Sequence, residues 1–369
     1  MRDLLPVSSA AVSDTLWRGH SCRRAVVLLL LALPLFPADF SGPIDALFKD
    51  YDRAGVPGAS VIVIREGKVL YKKAYGTADL ESGIAATPRT NYRLASVTKQ
   101  FTAMAILMLA ERGRLLIDNK ITRFFPDYPA YGKDITIRQL LTHTSGLKAY
   151  EDLIPAGRTA QLHDRDVLDL LKKETSTYFP PGMEWRYSNT GYAHLALIVE
   201  KASGMTFAAF LKKNIFGPLK MHDTVAFEEG ISTVRNRAYG YTRKGDTFER
   251  TDQSLTSAVL GDGGIYSSVE DLFLWDQALY TTRLVSEDSL RQAWMPSILT
   301  SGKTTTYGFG WELGELHGMK TLRHSGSTIG FRTQILRIPE KKFTVIVLAN
   351  RSESKPDEIT NAISDIYLE

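Results

Sequence analysis

The sequence predicts an α+β chain in which one sheet is assembled from both ends of the chain, with a helical insertion between. Three observations predict it. Two β-rich runs, Ala59–Arg65 and Val69–Gly76, flank Glu66-Gly67-Lys68 near the start. Strand composition then returns only late, at Leu322–His324, Gln334–Ile338 and Phe343–Ala349. Between about 115 and 300 the chain carries helical periodicities, turns and prolines, with no domain-sized shift in composition.

In chain order, the first 38 residues read as a leader. Arg23-Arg24 precedes the apolar run Ala25–Ala38, a positive n-region and short h-region with a cleavage point after Ala38. A spanning helix needs ~20 apolar residues, and Pro34 interrupts this run. The leader is thus a secretory signal, with an uncleaved anchor as the rival. An exported product, periplasmic or secreted, is expected, touching a membrane only if the leader stays. The one cysteine, Cys22, lies in the leader, so a mature chain has neither disulfide nor thiol chemistry.

Ile44, Leu47, Phe48 and Tyr51 carry helical spacing over 44–55 and stop before the turn cluster Gly55-Val56-Pro57-Gly58. The hairpin 59–76 follows. Ser96-Val97-Thr98-Lys99 then opens the apolar run Phe101–Ala110. On a helix, residues three apart share a face, so hydroxyl and amine point into one space. Burial and the positive helix end both disfavour the ammonium, so Lys99 is expected to titrate low and serve as a base. Further on, 135–141 reads as a helix stopped near Gly146, and Ser267 with Glu270 has capping-box spacing. Just before it, Gly261-Asp262-Gly263-Gly264 suggests backbone conformations denied to other residues. Pro339–Lys342 makes a turn between the last two strands, and 356–368 a closing helix.

Composition bounds the chemistry. The 369 residues are 44% hydrophobic and 23% charged, ordinary for a globular chain with a sizeable core. The formal charge is +4, of which the leader holds +2. The basic residues are scattered, which excludes a nucleic-acid footprint. The seven histidines show no tight ligand spacing, so neither a metal site nor any other cofactor is expected.

Ser-x-x-Lys alone is weak, since Ser352-Glu353-Ser354-Lys355 is a second copy in a polar stretch that reads as a solvated loop. Two other constellations accompany Ser96. Tyr187-Ser188-Asn189 follows a Pro-Pro-Gly turn, and its phenol and amide suit proton relay and the holding of a lysine or a substrate carbonyl. His324-Ser325-Gly326-Ser327 lies on a late strand, where glycine permits close approach and strand N–H groups can face an oxyanion.

Together, and in this order, the three motifs resemble those of the serine β-lactamase and penicillin-binding superfamily, specifically its class C β-lactamase-like branch, which includes D,D-peptidases, D-aminopeptidases and carboxylesterases. Supporting phrases are Leu141–Leu147, Ile215–Met221, Gly263–Ser268 and Tyr307–Trp311. The resemblance implies a β-lactamase/transpeptidase-like α/β fold, an antiparallel sheet flanked by helices plus a mostly helical lobe. It would place the leader at 1–38 and a catalytic domain at 39–369, with a sheet lobe about 44–115 and 300–369 and a helical lobe about 116–299.

It further implies an acyl-transfer serine hydrolase acting on a small-molecule or peptide acyl donor. Ser96 would be acylated, Lys99 and Tyr187 would share proton transfer, Asn189 would orient substrate, and the N–H groups of Ser96 and of Ser327, after Gly326, would form the oxyanion hole. His324 stands where many β-lactamases have a lysine. A histidine is mostly neutral at pH 7, which ranks esters and D-amino-acid peptides ahead of β-lactams. As an imidazolium it would still meet a substrate carboxylate, and Arg332 is the other candidate for that charge. A non-catalytic penicillin- or cell-wall-peptide-binding sensor is the alternative; the oligomeric state is left open.

Overall fold

The computed structural model describes residues 40–53 and 55–368. The leader expected over 1–38, its cleavage point after Ala38 and Cys22 lie outside the described residues.

The sheet follows from where the apolar runs fall. Helix α1 (Ser41–Leu47) is shorter than the 44–55 expected, and Phe48 and Tyr51 are buried from the turns beyond it. Strands β1 (Ala59–Arg65) and β2 (Lys68–Tyr75) form the hairpin. After helices α2 (Lys99–Glu111), α3 (Asn189–Ser203) and α4 (Val269–Ala278) come strands β3 (Glu312–Leu316), β4 (Met319–Thr328), β5 (Phe331–Ile338) and β6 (Phe343–Ala349), then helix α5 (Pro356–Leu368). The sheet order is β3-β4-β5-β6-β1-β2, and every neighbouring pair is antiparallel. Both ends of the chain therefore meet where β1 pairs β6, with Val61 opposite Val347 and Ile62 opposite Ile346. These two strands are central and almost wholly buried, which is why they read as unbroken apolar runs. Edge strand β2 alternates little and carries Lys68, Lys72 and Lys73, charges that discourage pairing with another sheet.

One face of the sheet packs Val61, Val63, Val345 and Val347 against Ile44 of α1 and Ile359 and Ile363 of α5. The other sets Ile62, Ile64, Ile335 and Ile346 into the main core with Phe101 of α2 and Trp275 of α4. Helix α2 is buried from Lys99 to Leu109, so its apolar run serves as a central core helix with no solvent face. Among the described residues, no single helix is long and apolar enough to cross a membrane.

Several local expectations change. The cap of α4 is Ser268, accepting from Asp271 N–H, while Ser267 is drawn into a short strand (Ile265–Ser267) paired with Tyr92–Arg93. Of the 261–264 cluster, no glycine has positive φ. For Gly261 the reason is space: a Cβ there would lie 2.3 Å from the Tyr192 carbonyl oxygen. The segment 115–300 also holds a β-hairpin, Tyr241–Lys244 with Thr247–Arg250, that the helical reading did not foresee.

Candidate active site

Ser96 is presented by strain and surrounded by order. Tyr92–Arg93 is tied into the short sheet, Ala95 is forced to φ +49, and a 3-10 turn over Ala95–Thr98 runs into α2. A positive φ on a non-glycine residue next to a candidate nucleophile is stored strain of the kind found at functional sites. Between Asn91 and Gln100, Ser96 alone is not buried.

Lys99, one turn on, is fully buried. Its Nζ lies 3.0 Å from Ser96 Oγ, 2.8 Å from Asn189 Oδ1 and 2.9 Å from the Asp262 carbonyl oxygen. Burial is the largest influence on its pKa and holds it down to about 8, against the upward pull of the Asp262 and Glu151 carboxylates. Two of the three partners are amide oxygens, which accept but cannot donate. When the ammonium loses a proton, its remaining N–H bonds stay on those two, and the lone pair falls on the one partner with a proton to give, the Ser96 hydroxyl.

Tyr187 stands across from this pair. Lys99 Nζ lies 5.0 Å from its ring centroid. The side chain is 37% exposed, yet burial around its hydroxyl pushes its pKa well above the ordinary phenol value, offset in part by the Ser96 side chain beside it. With its pKa raised, the hydroxyl stays a neutral donor. The loop is held by His143, whose carbonyl accepts from Arg186 N–H at 3.0 Å and whose Nδ1 accepts from Ser188 N–H at 3.1 Å. The His143 and Tyr187 rings pack with centroids 4.3 Å apart, tilted by 38°. His143 is itself in the left-handed region, φ +58.

Asn189 begins α3 with its amide fixed at both ends: Oδ1 accepts from Lys99, and Nδ2 donates to Glu151 Oε1 at 2.7 Å. Glu151 sits on a 3-10 turn (Tyr150–Leu153). Tyr150 pins that turn, its N–H donating to Thr190 Oγ1 at 2.9 Å and its hydroxyl to Asp262 Oδ2 at 3.0 Å. Burial raises the Asp262 pKa to about 6 against the pull of Lys99. A cavity of about 80 Å³ is lined by Ser96, Asn189, Glu151, Asp262, Arg93 and Ser327, among others.

The third motif reaches the serine through its glycine. A Cβ on Gly326 would lie 2.1 Å from both the Leu94 carbonyl oxygen and Thr333 Oγ1, and Thr333 Oγ1 itself donates to that carbonyl at 2.8 Å. Only glycine lets β4 lie against the backbone leading to Ser96, which brings Ser327 to the same cavity. The edge of β4 is left open there, because β3 pairs it only as far as Arg323.

Of the two expected carboxylate binders, His324 is enclosed and Arg332 is partly engaged by its own turn. His324 is 1% exposed. Its Nδ1 lies 2.7 Å from the Ser325 carbonyl oxygen and so carries the proton, leaving Nε2 to accept from Tyr307 O–H at 2.7 Å. Burial, then Lys99, depresses its pKa to about 3. Burial and these two bonds favour the neutral ring over the imidazolium expected to meet a substrate carboxylate. Arg332 turns its Nη1 onto the carbonyls of Thr328 and Phe331, both at 2.7 Å, tying its own hairpin turn. It lines a second cavity with Arg323 and Gln334 that shares Ser327 with the cavity at Ser96. The second Ser-x-x-Lys is solvated: Lys355 pairs with Glu358 on the surface.

Sequence reasoning missed the parts Glu151, Tyr150 and Asp262 play around Lys99, and those of His143 and Tyr307 behind Tyr187 and His324. His143 and Tyr307 lay within phrases noted for their resemblance, but nothing local marks their contacts. Among the described residues, no group of three His, Cys, Asp or Glu is arranged to hold a metal ion.

A sequence model of the family described as Beta-lactamase matches residues 44–367. The chain is 36% identical over 309 residues to penicillin-binding protein 4* of Bacillus subtilis, covering 80% of this chain and 68% of that protein. It is 28% identical over 321 residues to Protein flp of Staphylococcus aureus (strain MRSA252), covering 85% of this chain and 63% of that one, so it spans under two thirds of that relative's length. Among solved structures, the octameric penicillin-binding protein homologue from Pyrococcus abyssi is similar with a TM-score of 0.76 and 28% identity, covering 88% of this chain and 77% of that one. The D-amino acid amidase from Ochrobactrum anthropi SV3, complexed with D-phenylalanine, superposes with a TM-score of 0.77 at 23% identity, covering 89% and 99%; at that identity the likeness is one of fold.

Proposed function

The chain belongs to the beta-lactamase family, and on that premise we propose that it is a serine hydrolase that forms an acyl-enzyme at Ser96. The observation that carries the reading is the set of three bonds on the buried Lys99 Nζ, to Ser96 Oγ, Asn189 Oδ1 and the Asp262 carbonyl. They turn the amine's lone pair toward the serine proton.

In the forward step, Ser96 Oγ attacks an ester, amide or lactam carbonyl while its proton passes to Lys99. The oxyanion is held by the Ser96 and Ser327 N–H groups. Tyr187, kept neutral by burial, gives its phenolic proton to the leaving group and recovers one from Lys99. Water then attacks the acyl ester, its proton goes to the same pair, and Ser96 leaves with a proton returned to it. The balance is one water consumed, one acid and one leaving group released. Asn189 holds Lys99 in place throughout.

His324 acts here as a neutral positioning group behind the cleft, acceptor to Tyr307, and Arg332 as a brace of the β4–β5 turn. His324 supplies no cation to a substrate carboxylate, which favours esters and amino-acid or peptide amides over β-lactams. The test is a panel on wild type and Ser96→Ala: p-nitrophenyl esters, aminoacyl and D-Ala-D-Ala peptides, and a chromogenic cephalosporin. Turnover of at least one substrate, lost in Ser96→Ala, is expected. Stoichiometric acylation without turnover would favour a binding or sensor role instead.

A further inference from the structure

Two large apolar side chains beside the site, Trp185 and Met183, are 41% and 52% exposed and have no part in the steps above. They stand two and four residues before Tyr187, on a non-helical segment. Ring contacts show which way Trp185 faces. Trp185 and Tyr187 both lie against Tyr307, with centroids 6.2 and 6.3 Å away, and both against His143, at 6.2 and 4.3 Å. Arg186, between them, instead sets its guanidinium over the Tyr178 ring at 3.9 Å. Side chains at every second position of an extended segment share a side, so Tyr187, Trp185 and Met183 form a row that runs outward from Ser96.

The row is held at both ends. Behind Tyr187 stand the two bonds to His143. Before Met183, Gly182 N–H donates to the Thr144 carbonyl at 2.8 Å, and the Gly182 carbonyl accepts from Thr300 N–H at 3.0 Å. That last bond brings alongside the segment carrying Ile298, which is 71% exposed. Exposed apolar surface gathered beside a cleft marks a binding surface, and one fixed before its ligand arrives loses little to ordering on binding.

The position of the row decides which part of a substrate it meets. The cavity of about 80 Å³ on the Asn189 side of Ser96 is lined by none of these residues. The Tyr187 hydroxyl meets the leaving atom, so the substituent on that atom continues along Trp185 and then Met183. Neither side chain carries a charge, and both offer area to an apolar group, the indole also a ring face to an aromatic one.

We infer that Trp185, with Met183 beyond it, is the leaving-group subsite, and that the preferred acyl donors expel an aryl-bearing or bulky apolar alcohol or amine rather than a small one. This rests on Ser96 being the acylated nucleophile and Tyr187 the donor to the leaving group. It adds the class of leaving group, selected by residues outside the three motifs.

The test compares benzyl propionate with methyl propionate. Both give the same propionyl-enzyme and release alcohols of nearly equal acidity, so kcat/KM reports the leaving-group contact. Wild type should favour the benzyl ester, and Trp185→Ala should lower that preference about tenfold, the scale of one lost aromatic contact, while Trp185→Phe keeps most of it. Methyl 3-phenylpropionate places the ring on the acyl side, and its ratio to methyl propionate should stay within twofold in Trp185→Ala. A wild type indifferent to the two leaving groups, a benzyl preference unchanged within twofold in Trp185→Ala, or a loss that follows the acyl-side ring overturns the inference. Should no ester turn over, saturation-transfer NMR on Ser96→Ala decides: the phenyl protons of benzyl propionate should receive magnetisation from the protein, and this should vanish when Trp185→Ala is added. Transfer that survives Trp185→Ala, or none in Ser96→Ala, overturns the subsite. Failure of the underlying reading shows separately, as benzyl propionate hydrolysis that survives Ser96→Ala.

Discussion

Replacing Gly326 by alanine tests how the two halves of the site are joined. The added Cβ would sit 2.1 Å from the Leu94 carbonyl oxygen and 2.1 Å from Thr333 Oγ1, where ordinary contact begins at 3.4 Å. Thr333 can rotate away at the cost of its bond to Leu94; the carbonyl cannot, because the Leu94 backbone is fixed by its N–H to Ile265 O at 2.8 Å. Strand β4 must therefore retreat by roughly 1.3 Å, the difference between those distances, carrying Ser327 away from Ser96. A misplacement of ~1 Å at reacting groups costs on the order of 100-fold in rate, whereas overpacking of this kind costs only ~1–3 kcal/mol of stability. Gly326→Ala should thus stay folded and lose about two orders of magnitude in kcat/KM on its best ester. Steady-state kinetics beside thermal unfolding is the assay. A variant within threefold of wild type would refute the claim that β4 must lie against the Leu94 backbone for Ser96 and Ser327 to work together.

Other outcomes follow from single groups. With Lys99 held near 8 and its neutral form the base, kcat/KM should climb about tenfold per pH unit below 8 and level off above it; a flat profile from about pH 6 to 9 would count against Lys99 as base. His324, depressed to about 3, stays neutral from about pH 5 to 8, so KM for carboxylate-bearing substrates should show no inflection near the ordinary histidine value of about 6.5. Such an inflection, lost in His324→Gln, would restore the imidazolium role. Arg337 and Asp276 form a fully buried pair, Nε to Oδ1 at 2.6 Å. Asp276→Ala should cost ~3–5 kcal/mol in denaturant unfolding because it strands the guanidinium, and a loss below about 1 kcal/mol would show that the surrounding rings already compensate it.

How much of this was legible in the sequence depended on how far apart the cooperating residues lie. Ser96 and Lys99 could be paired on paper because three-residue spacing decides a shared face. The central strands could be found because both their faces are buried, which leaves unbroken β-branched runs. Tyr150 and Asp262 could not: they meet only through the fold, across more than a hundred residues, and a tyrosine and an aspartate at that separation have no local signature. The same holds for Glu151 against Asn189. Ser267 and Ser268 were equally able to cap α4, and pairing with Tyr92–Arg93 decided between them. His324 misled because the ordinary imidazole pKa was the natural assumption, whereas burial and the nearby Lys99 lower it. The cluster at 261–264 was read for backbone freedom, whereas Gly261 is small for want of room beside α3.

The central claim is that Ser96 carries the acyl group. Incubating the protein with a slowly released acylating probe, quenching in acid, and measuring intact and peptide masses tests it most directly. One acyl increment on the peptide containing Ser96, absent in Ser96→Ala together with all turnover, is the result predicted. An increment on another residue, or Ser96→Ala hydrolysing the probe as fast as wild type, would contradict it.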